Sequence, residues 1–166
     1  MARVLSKGRR KLTFVPKSAA ATAALAVSVA KLNGAGVFDA SDYALVDGFN
    51  LGFGEPVSAD ATPIGSSRTV NLMAEGDVNA TINWLRDTVT ANDKAWTFHL
   101  TPLTEFWAVL RNGPDLASKA WAVGDTVDVF DLYVTDPTDR PDAEVWSFAE
   151  TYGQGSGHVR RATLVA

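Results

Sequence analysis

Few residues in this chain have the types and spacing that catalysis requires. Gly153, Gly155 and Gly157 form a GxGxG run of the kind that can bind a phosphate through backbone amides. The run lies between two predicted strands, and no predicted helix follows it whose N-terminus would face a phosphate. Ser156 and His158 lie outside any GxSxG motif and have no acid at a spacing that would orient the histidine. The run is therefore interpreted as a hairpin loop.

Metal and cofactor chemistry also finds little support. The chain has no cysteine and two histidines, which excludes disulfides, thiolate zinc sites and cysteine nucleophiles and leaves little for an imidazole metal site. Asp136, Asp139 and Asp142 lack the glycine and terminal glutamate of a calcium loop, so a solvated acidic surface is the simpler interpretation. His99, among aromatic residues, is interpreted as a partly buried structural histidine. We expect no enzymatic activity and no cofactor.

Charge is distributed unevenly along the chain. The net charge is −4, yet residues 1–17 hold six of the fifteen basic residues and none of the nineteen acidic ones, which leaves −10 on residues 18–166. A short segment of one sign favours binding to phosphate or to an acidic surface, such as another copy of this chain, and a solvated tail is the alternative. We predict a basic arm, residues 1–17, joined to a single domain, residues 18–166. The predicted inter-subunit contacts of the arm are Arg3, Lys7, Arg9, Arg10 and Lys11.

The next segment, residues 18–33, has the pattern of an amphipathic helix. Ser18 can cap its N-terminus, its alanines favour helix, and Gly34 suits a C-terminal cap. Apolar residues fall on one face at helical spacing, and this face is predicted to pack on a sheet. Its members are Leu25, Val29 and Leu32.

The paired Arg9 and Arg10 ahead of a small apolar run also resemble a cleavable export signal. The amphipathic stripe and the turn at Pro16 favour a retained arm and helix instead. No run of about eighteen apolar residues is present that would span a membrane.

The remainder is rich in predicted strands. Polar and apolar residues alternate from Val78 to Trp84, with the period of two of a half-buried strand. In the next predicted strand Phe106, Ala108 and Leu110 alternate with Trp107, Val109 and Arg111. Residues 68–74 are also predicted as a strand that forms a hairpin with the strand from Val78, whereas residues 55–65 and 135–144 are predicted as loops. In the strand from Val127 to Val134 the apolar residues change parity, which indicates a β-bulge or burial on both faces. A short second helix is predicted at residues 92–100.

About seven strands, one clear helix and long loops indicate a mainly β (α+β) fold. The predicted architecture is an antiparallel β-sandwich or small barrel with one flanking α-helix and a short second helix.

The order of these elements resembles the major tail tube proteins of long-tailed bacteriophages, with the closest likeness to phages that infect actinobacteria. The resemblance covers most of the chain from about Leu12, and it is one of layout with weak individual motifs. The best matching pieces are Leu110-Arg111-Asn112-Gly113, Gly124-Asp125-Thr126-Val127 and the strand end from Trp146 to Gly153.

The resemblance implies a structural virion protein that is assembled in the host cytoplasm. Six copies would close a ring, rings would stack into a tube for DNA ejection, and the tape measure and tail completion proteins would be partners. An acidic lumen would repel the DNA phosphates, in contrast to the basic surface of a DNA-binding protein. The candidate lumen acids, from their strand positions, are Asp125, Asp128 and Asp131.

Three alternatives remain open from the sequence. A capsid or head protein would use the basic arm on the packaged genome and would bind nucleic acid with a steep salt dependence. A tail completion or terminator ring would share the same layout. An exported binding module or hydrolase would lose its N-terminus and begin near Lys31.

Overall fold

The structure, a computed structural model, describes residues 8–17, 28–54, 57–60, 71–74, 78–140 and 145–166. The described elements are mostly strands, with two short helices. In chain order they are β1 (Arg10–Pro16), α1 (Val29–Leu32), β2 (Phe38–Asp39), β3 (Asn50–Phe53), β4 (Val57–Asp60), β5 (Asn71–Ala74), β6 (Val78–Leu85), α2 (Lys94–His99), β7 (Glu105–Asn112), β8 (Thr126–Tyr133), β9 (Thr138–Arg140), β10 (Ser147–Thr151), β11 (Gly153–Gln154) and β12 (Val159–Thr163).

These strands form two antiparallel sheets and a separate hairpin. The larger sheet has the order β11-β8-β7-β1-β2, and β12 also pairs with β8. The smaller sheet has the order β3-β6-β10-β9, and β4 pairs only with β5. The predicted antiparallel β-sandwich is confirmed, and no closed barrel is found among the described strands.

Three local predictions differ from the structure. The strand at β5 pairs with β4 rather than with β6, so the predicted hairpin is wrong, and the predicted loop 55–65 contains β4. The predicted loop 135–144 contains β9, an edge strand of three residues that pairs with β10. Prolines beside such a short edge strand are tolerated because an edge strand leaves part of its backbone unpaired.

The two helices are shorter than predicted or only partly described. Helix α1 corresponds to the end of the predicted helix, and the hydroxyl of Ser28 caps it by accepting a bond from the Lys31 amide at 3.3 Å. Residues 18–27, which include Leu25, lie outside the described residues. Helix α2 confirms the short second helix, with Asp93 at the N-cap position.

The main core lies between the two sheets. Alternate residues of the larger sheet, such as Leu12, Phe14 and Phe106, face residues of the smaller sheet, such as Ile82 and Trp84. Phe14 is fully buried, and its ring centroid lies 4.4 Å from that of Phe106 and 5.5 Å from that of Trp84. Burial of each such side chain contributes about 1.5–3 kcal/mol.

A second apolar cluster covers the other face of the larger sheet. It includes Trp107 and Val109 from β7, Val127 and Val129 from β8, and Leu32 from α1. The pairing of β7 with β8 runs without interruption from Glu105–Tyr133 to Leu110–Asp128. The change of parity in β8 therefore reflects burial on both faces, and the irregular register lies instead between β12 and β8.

The basic N-terminal segment enters this sheet. Residues 10–16, predicted as part of an arm, form β1, which pairs along its whole length with β7. Alternate residues of β1 face the two clusters, Leu12 and Phe14 on one side and Val15 on the other. The apolar residues of this segment fix it in the sheet, although its charges indicated an arm.

The glycine-rich segment lies across β8 and connects β11 to β12. Side chains at Gly153, Gly155 and Gly157 would overlap the Tyr133 ring, the Asp131 carboxylate and, at 2.7 Å, the Trp107 ring. The Gly155 amide donates to the Asp131 carbonyl at 2.9 Å, and the Gly157 amide donates to the Asp131 carboxylate at 3.1 Å. The glycines are needed here for close packing, which agrees with the interpretation as a connecting loop.

The glycine requirement can be tested with Gly155→Ala. The added methyl group would overlap the Asp131 carboxylate, so we expect the free energy of unfolding to fall by about 1–3 kcal/mol in urea denaturation. Gly52→Ala is the matched control, because a Cβ at Gly52 meets no atom within 4 Å. Equal stability of the two variants would contradict the packing role of the glycine-rich segment.

Candidate assembly surface

The basic residues predicted to contact other subunits occupy different environments. Arg3 and Lys7 lie outside the described residues. Arg9 is partly exposed, and Arg10 is exposed with its guanidinium 5.3 Å from the centre of the Phe49 ring. Lys11 is buried, so it differs from the rest of the set.

Lys11 is used inside the subunit. Its ammonium group lies 3.0 Å from the Asp39 carboxylate and donates to the Ala117 carbonyl at 3.1 Å. It also lies 5.7 Å from the centre of the Trp121 ring. Bonds from Ser41 and Lys11 outweigh partial burial and lower the pKa of Asp39. These contacts tie β2 and the loop between β7 and β8 to β1.

Asp125, a predicted lumen acid, pairs with Arg111. The Arg111 guanidinium lies 2.7 Å from the Asp125 carboxylate, and their side chains are 3% and 12% exposed. Arg111 also donates to the carbonyls of Leu116 and Lys119 at 3.0 and 3.2 Å. The Asp125 carboxylate accepts from the Ala122 amide at 3.1 Å. The pair therefore fixes the loop between β7 and β8.

Asp131, another predicted lumen acid, pairs with Lys17. The two charged groups are 2.6 Å apart, and Glu105 lies 3.6 Å from the same ammonium group. Lys17 also lies 4.3 Å from the centre of the Trp107 ring, where the ring face attracts a cation. Lys17 and Trp107 were not predicted as site residues.

The third predicted lumen acid, Asp128, has no ion pair among the described residues. Its carboxylate accepts from the Arg161 amide at 2.9 Å, next to a backbone that is left-handed at Arg161, with φ 53°. The three acids therefore have different environments. Asp125 and Asp131 form ion pairs within the subunit, with Arg111 and Lys17, which the sequence pattern did not predict.

The packing residues predicted on the first helix are only partly described. Leu32 is buried against the second cluster, and Val29 packs at its edge. The Val29 amide donates to the Val165 carbonyl at 3.1 Å, which ties α1 to the C-terminal residues.

His99 lies in the main core rather than at a surface. One ring nitrogen is 2.6 Å from the Ala95 carbonyl and the other is 2.6 Å from the Tyr152 hydroxyl. A carbonyl can only accept, so the neutral ring donates to Ala95 and accepts from Tyr152. Burial lowers the pKa of His99 to about 4 and raises that of Tyr152. Both groups are therefore neutral structural groups.

Arg86 forms another internal cluster beside α2. Its guanidinium lies 3.8 Å and 4.5 Å from the ring centres of Trp96 and Trp146 and 2.7 Å from the Asp93 carboxylate. The Asp93 carboxylate thus pairs with Arg86 and forms no side-chain cap bond with α2.

The described residues present no group of three or more side chains that could hold a metal ion. None of the described helices is both long and apolar enough to cross a membrane.

The surface does present open strand edges and exposed apolar side chains. The smaller sheet ends at β3 and β9, and the larger sheet ends at β2, as far as the described strands show. Val46, Leu103 and Val123 are 81%, 73% and 65% exposed. The described part of the chain is thus a β-sandwich with internal ion pairs, and its open strand edges are the kind that can pair with a strand of another chain.

The particular family follows from comparison with known proteins. A family profile described as "Phage tail tube protein" matches residues 1–148, so the chain belongs to the phage tail tube protein family and is a structural component of the viral tail. A search of curated proteins finds no match.

The Arg111–Asp125 pair provides a test of the internal ion pairs. Arg111→Met leaves the mostly buried Asp125 carboxylate without its partner. We therefore expect the free energy of unfolding, measured by urea denaturation, to fall by about 3–5 kcal/mol. Lys119→Met is the control, because the Lys119–Asp115 pair is exposed and should change stability little. Similar losses in both variants would show that burial of the pair is not what matters.

The buried histidine predicts a pH dependence of stability. Unfolding raises the pKa of His99 from about 4 to its ordinary value of 6.5, so the unfolded chain binds more protons between these values. The contribution of neutral His99 to the free energy of unfolding is therefore complete above pH 6.5. We expect the free energy of unfolding to fall by about 3 kcal/mol as the pH falls towards 4. Denaturation at several pH values should show this loss, and His99→Gln should remove it. An unchanged slope in that variant would contradict the assignment.

Proposed function

We propose that six copies of this protein close a ring and that rings stack into a tube through which DNA is ejected into the host. Membership of the tail tube family supports a tail structural role, and the open edges of the sandwich are the observation that carries the step to a ring. The tape measure protein and the tail completion proteins would be its partners.

Open edges favour association because they present unpaired amides and carbonyls. At β3 and β9 the smaller sheet has no further neighbour among the described strands. An unprotected edge is prone to uncontrolled pairing, whereas a closed ring satisfies every edge with the edge of the next subunit. Six-fold closure would therefore pair these edges without leaving a free end.

Charge supports a conduit for DNA. Residues 18–166 carry a net charge of −10, and a lumen of this sign would repel phosphates and keep DNA from adhering. Of the three proposed lumen acids, Asp125 and Asp131 have internal cations that reduce their field, so Asp128 is the strongest of the three candidates.

The basic N-terminal residues would contact the acidic surface of a neighbouring ring. Arg3, Lys7, Arg9 and Arg10 are the candidates that remain, because Lys11 already has a partner within the subunit. Opposite charges on the arm and the body would favour stacking in one direction.

Assembly tests the proposed function directly. We expect negative-stain electron microscopy of the purified protein to show six-fold rings or stacked tubes at high protein concentration. The assembled form should not retain duplex DNA at low salt. A persistent monomer would contradict the proposal, and tight, salt-sensitive DNA binding would favour the head protein instead.

The arm has its own test, with a charge-matched control. Reversing Arg3, Lys7 and Arg9 to Glu should raise the concentration needed for tube formation about tenfold or more, equivalent to about 1.4 kcal/mol. Reversing the exposed Lys31, Lys94 and Lys119 to Glu changes the net charge equally and is the control. Light scattering against concentration measures both. Equal shifts would show that net charge, not the arm, controls stacking.

A further inference from the structure

The loop between α2 and β7 displays an exposed leucine at a strained position. Leu103 has a φ of 62°, in the left-handed region that bulky residues rarely adopt, and it is 73% exposed. The Leu103 loop, residues 100–104, also presents Leu100 at 57% exposure. Glycine or asparagine would adopt this left-handed backbone with less strain. The local backbone conformation therefore does not explain why position 103 is a leucine.

Hydrogen bonds hold this loop in place. The Leu103 amide donates to the Val134 carbonyl at 2.8 Å, and the Val134 amide donates to the Thr104 carbonyl at 3.0 Å. The Thr104 hydroxyl donates to the Thr101 carbonyl at 2.8 Å. A strained residue that the surroundings fix in this way is often found where a protein contacts another molecule.

The opposite end of the larger sheet has an apolar groove. The Arg10 groove has a volume of about 500 Å³ and is lined mainly by apolar residues and by Arg10. Its apolar lining includes Leu12, Ala44, Leu45, Val46 and Phe49.

The wall of the Arg10 groove is already formed in the isolated subunit. The Leu45 amide donates to the Asn83 carbonyl and the Leu85 amide to the Tyr43 carbonyl, both at 2.8 Å. Val46, at the rim of the groove, is nevertheless 81% exposed. A preformed apolar recess with an exposed rim is suited to accept an apolar side chain.

The loop and the groove cannot meet within one subunit. On β1, Arg10 pairs with Asn112, whereas Pro16 pairs with Phe106, near the Leu103 loop. Six residues of strand separate the two ends by about 20 Å. A projection and a recess at opposite ends of one subunit are what a head-to-tail contact between copies requires.

Charge next to the two features is complementary. The Glu105 side chain, two residues after Leu103, is 64% exposed although its carboxylate lies 3.6 Å from the Lys17 ammonium group, and Arg10 is exposed at the groove. Asp42, which also lines the groove, is exposed, and such a contact requires Glu105 to lie away from it. A second copy of this chain therefore supplies both the apolar side chain and the acid that suit the groove.

We propose that the Leu103 loop of one subunit inserts into the Arg10 groove of the next, with Glu105 near Arg10, as a head-to-tail contact of the tail tube. The proposal rests on the assembly stated under the proposed function, and it names the residues of one contact.

Leu103→Gly separates assembly from folding. Removal of the side chain also relieves the left-handed strain, so we expect the melting temperature to stay equal or rise while the concentration needed for tubes increases about tenfold or more. Val89→Ala, which truncates another exposed apolar residue, is the control and should leave assembly unchanged. Normal assembly of Leu103→Gly would overturn the proposal.

Cysteine crosslinking tests the geometry, because the chain has no cysteine of its own. Leu103→Cys mixed with Val46→Cys should give disulfide-linked dimers on a non-reducing gel, since a disulfide needs Cα atoms within about 7 Å. Val89→Cys mixed with Val46→Cys is the control and should remain unlinked. Equal crosslinking in the two mixtures, or none in the first while tubes are present, would overturn the contact.

Two further outcomes separate this proposal from the proposed function. Wild-type protein that forms tubes, with Leu103→Gly assembling as well, would overturn the contact alone. Wild-type protein that never assembles would overturn both. A small molecule that adds mass to the subunit in native mass spectrometry, and is lost from Val46→Asp, would show that the groove holds a ligand instead of a second copy.

Discussion

The structure depends on the burial of the larger sheet on both faces. The central strand β7 carries Phe106 and Leu110 towards one cluster and Trp107 and Val109 towards the other. Each face must be covered by other elements, because exposure of either row to water would forfeit about 1.5–3 kcal/mol for each large side chain. The smaller sheet covers one face, and α1, the loop before β8 and the C-terminal residues cover the other.

This double burial determines where charged groups are found. Arg111 is held near Asp125 and the carbonyls of Leu116 and Lys119, and Lys11 is held near Asp39 and the carbonyl of Ala117. A charge removed from water is tolerated only with such partners. Basic residues that the sequence leaves without a partner thus stabilise the subunit. The indole ring of Trp121 lies beside Lys11 and Arg111, and that of Trp107 lies beside Lys17.

Once these charges are paired internally, open strand edges and exposed apolar side chains remain on the described surface. Sheet edges, the Leu103 loop and the Arg10 groove lie at the periphery, where another copy can reach them. A tail component needs subunits that are stable alone and associate in only one arrangement. Apolar burial on both faces of the larger sheet supplies the first property, and a strained, hydrogen-bonded loop can supply the second because it offers one geometry to its partner.

The sequence by itself determined that the protein is built mainly of strands. It also excluded disulfides, thiolate zinc sites and cysteine nucleophiles. Alternation in β6, the apolar run of β7, the change of parity in β8, the short second helix and the absence of cysteine all follow from local residue order, and the fold class was predicted correctly from them. Only the tertiary structure decided which strands pair, that Arg10–Pro16 belongs to the sheet, and that Asp125 and Asp131 have cationic partners. The reason is physical: periodicity reports which face of a strand is buried, whereas pairing and ion contacts join residues far apart in the chain, and their choice depends on how the whole core packs.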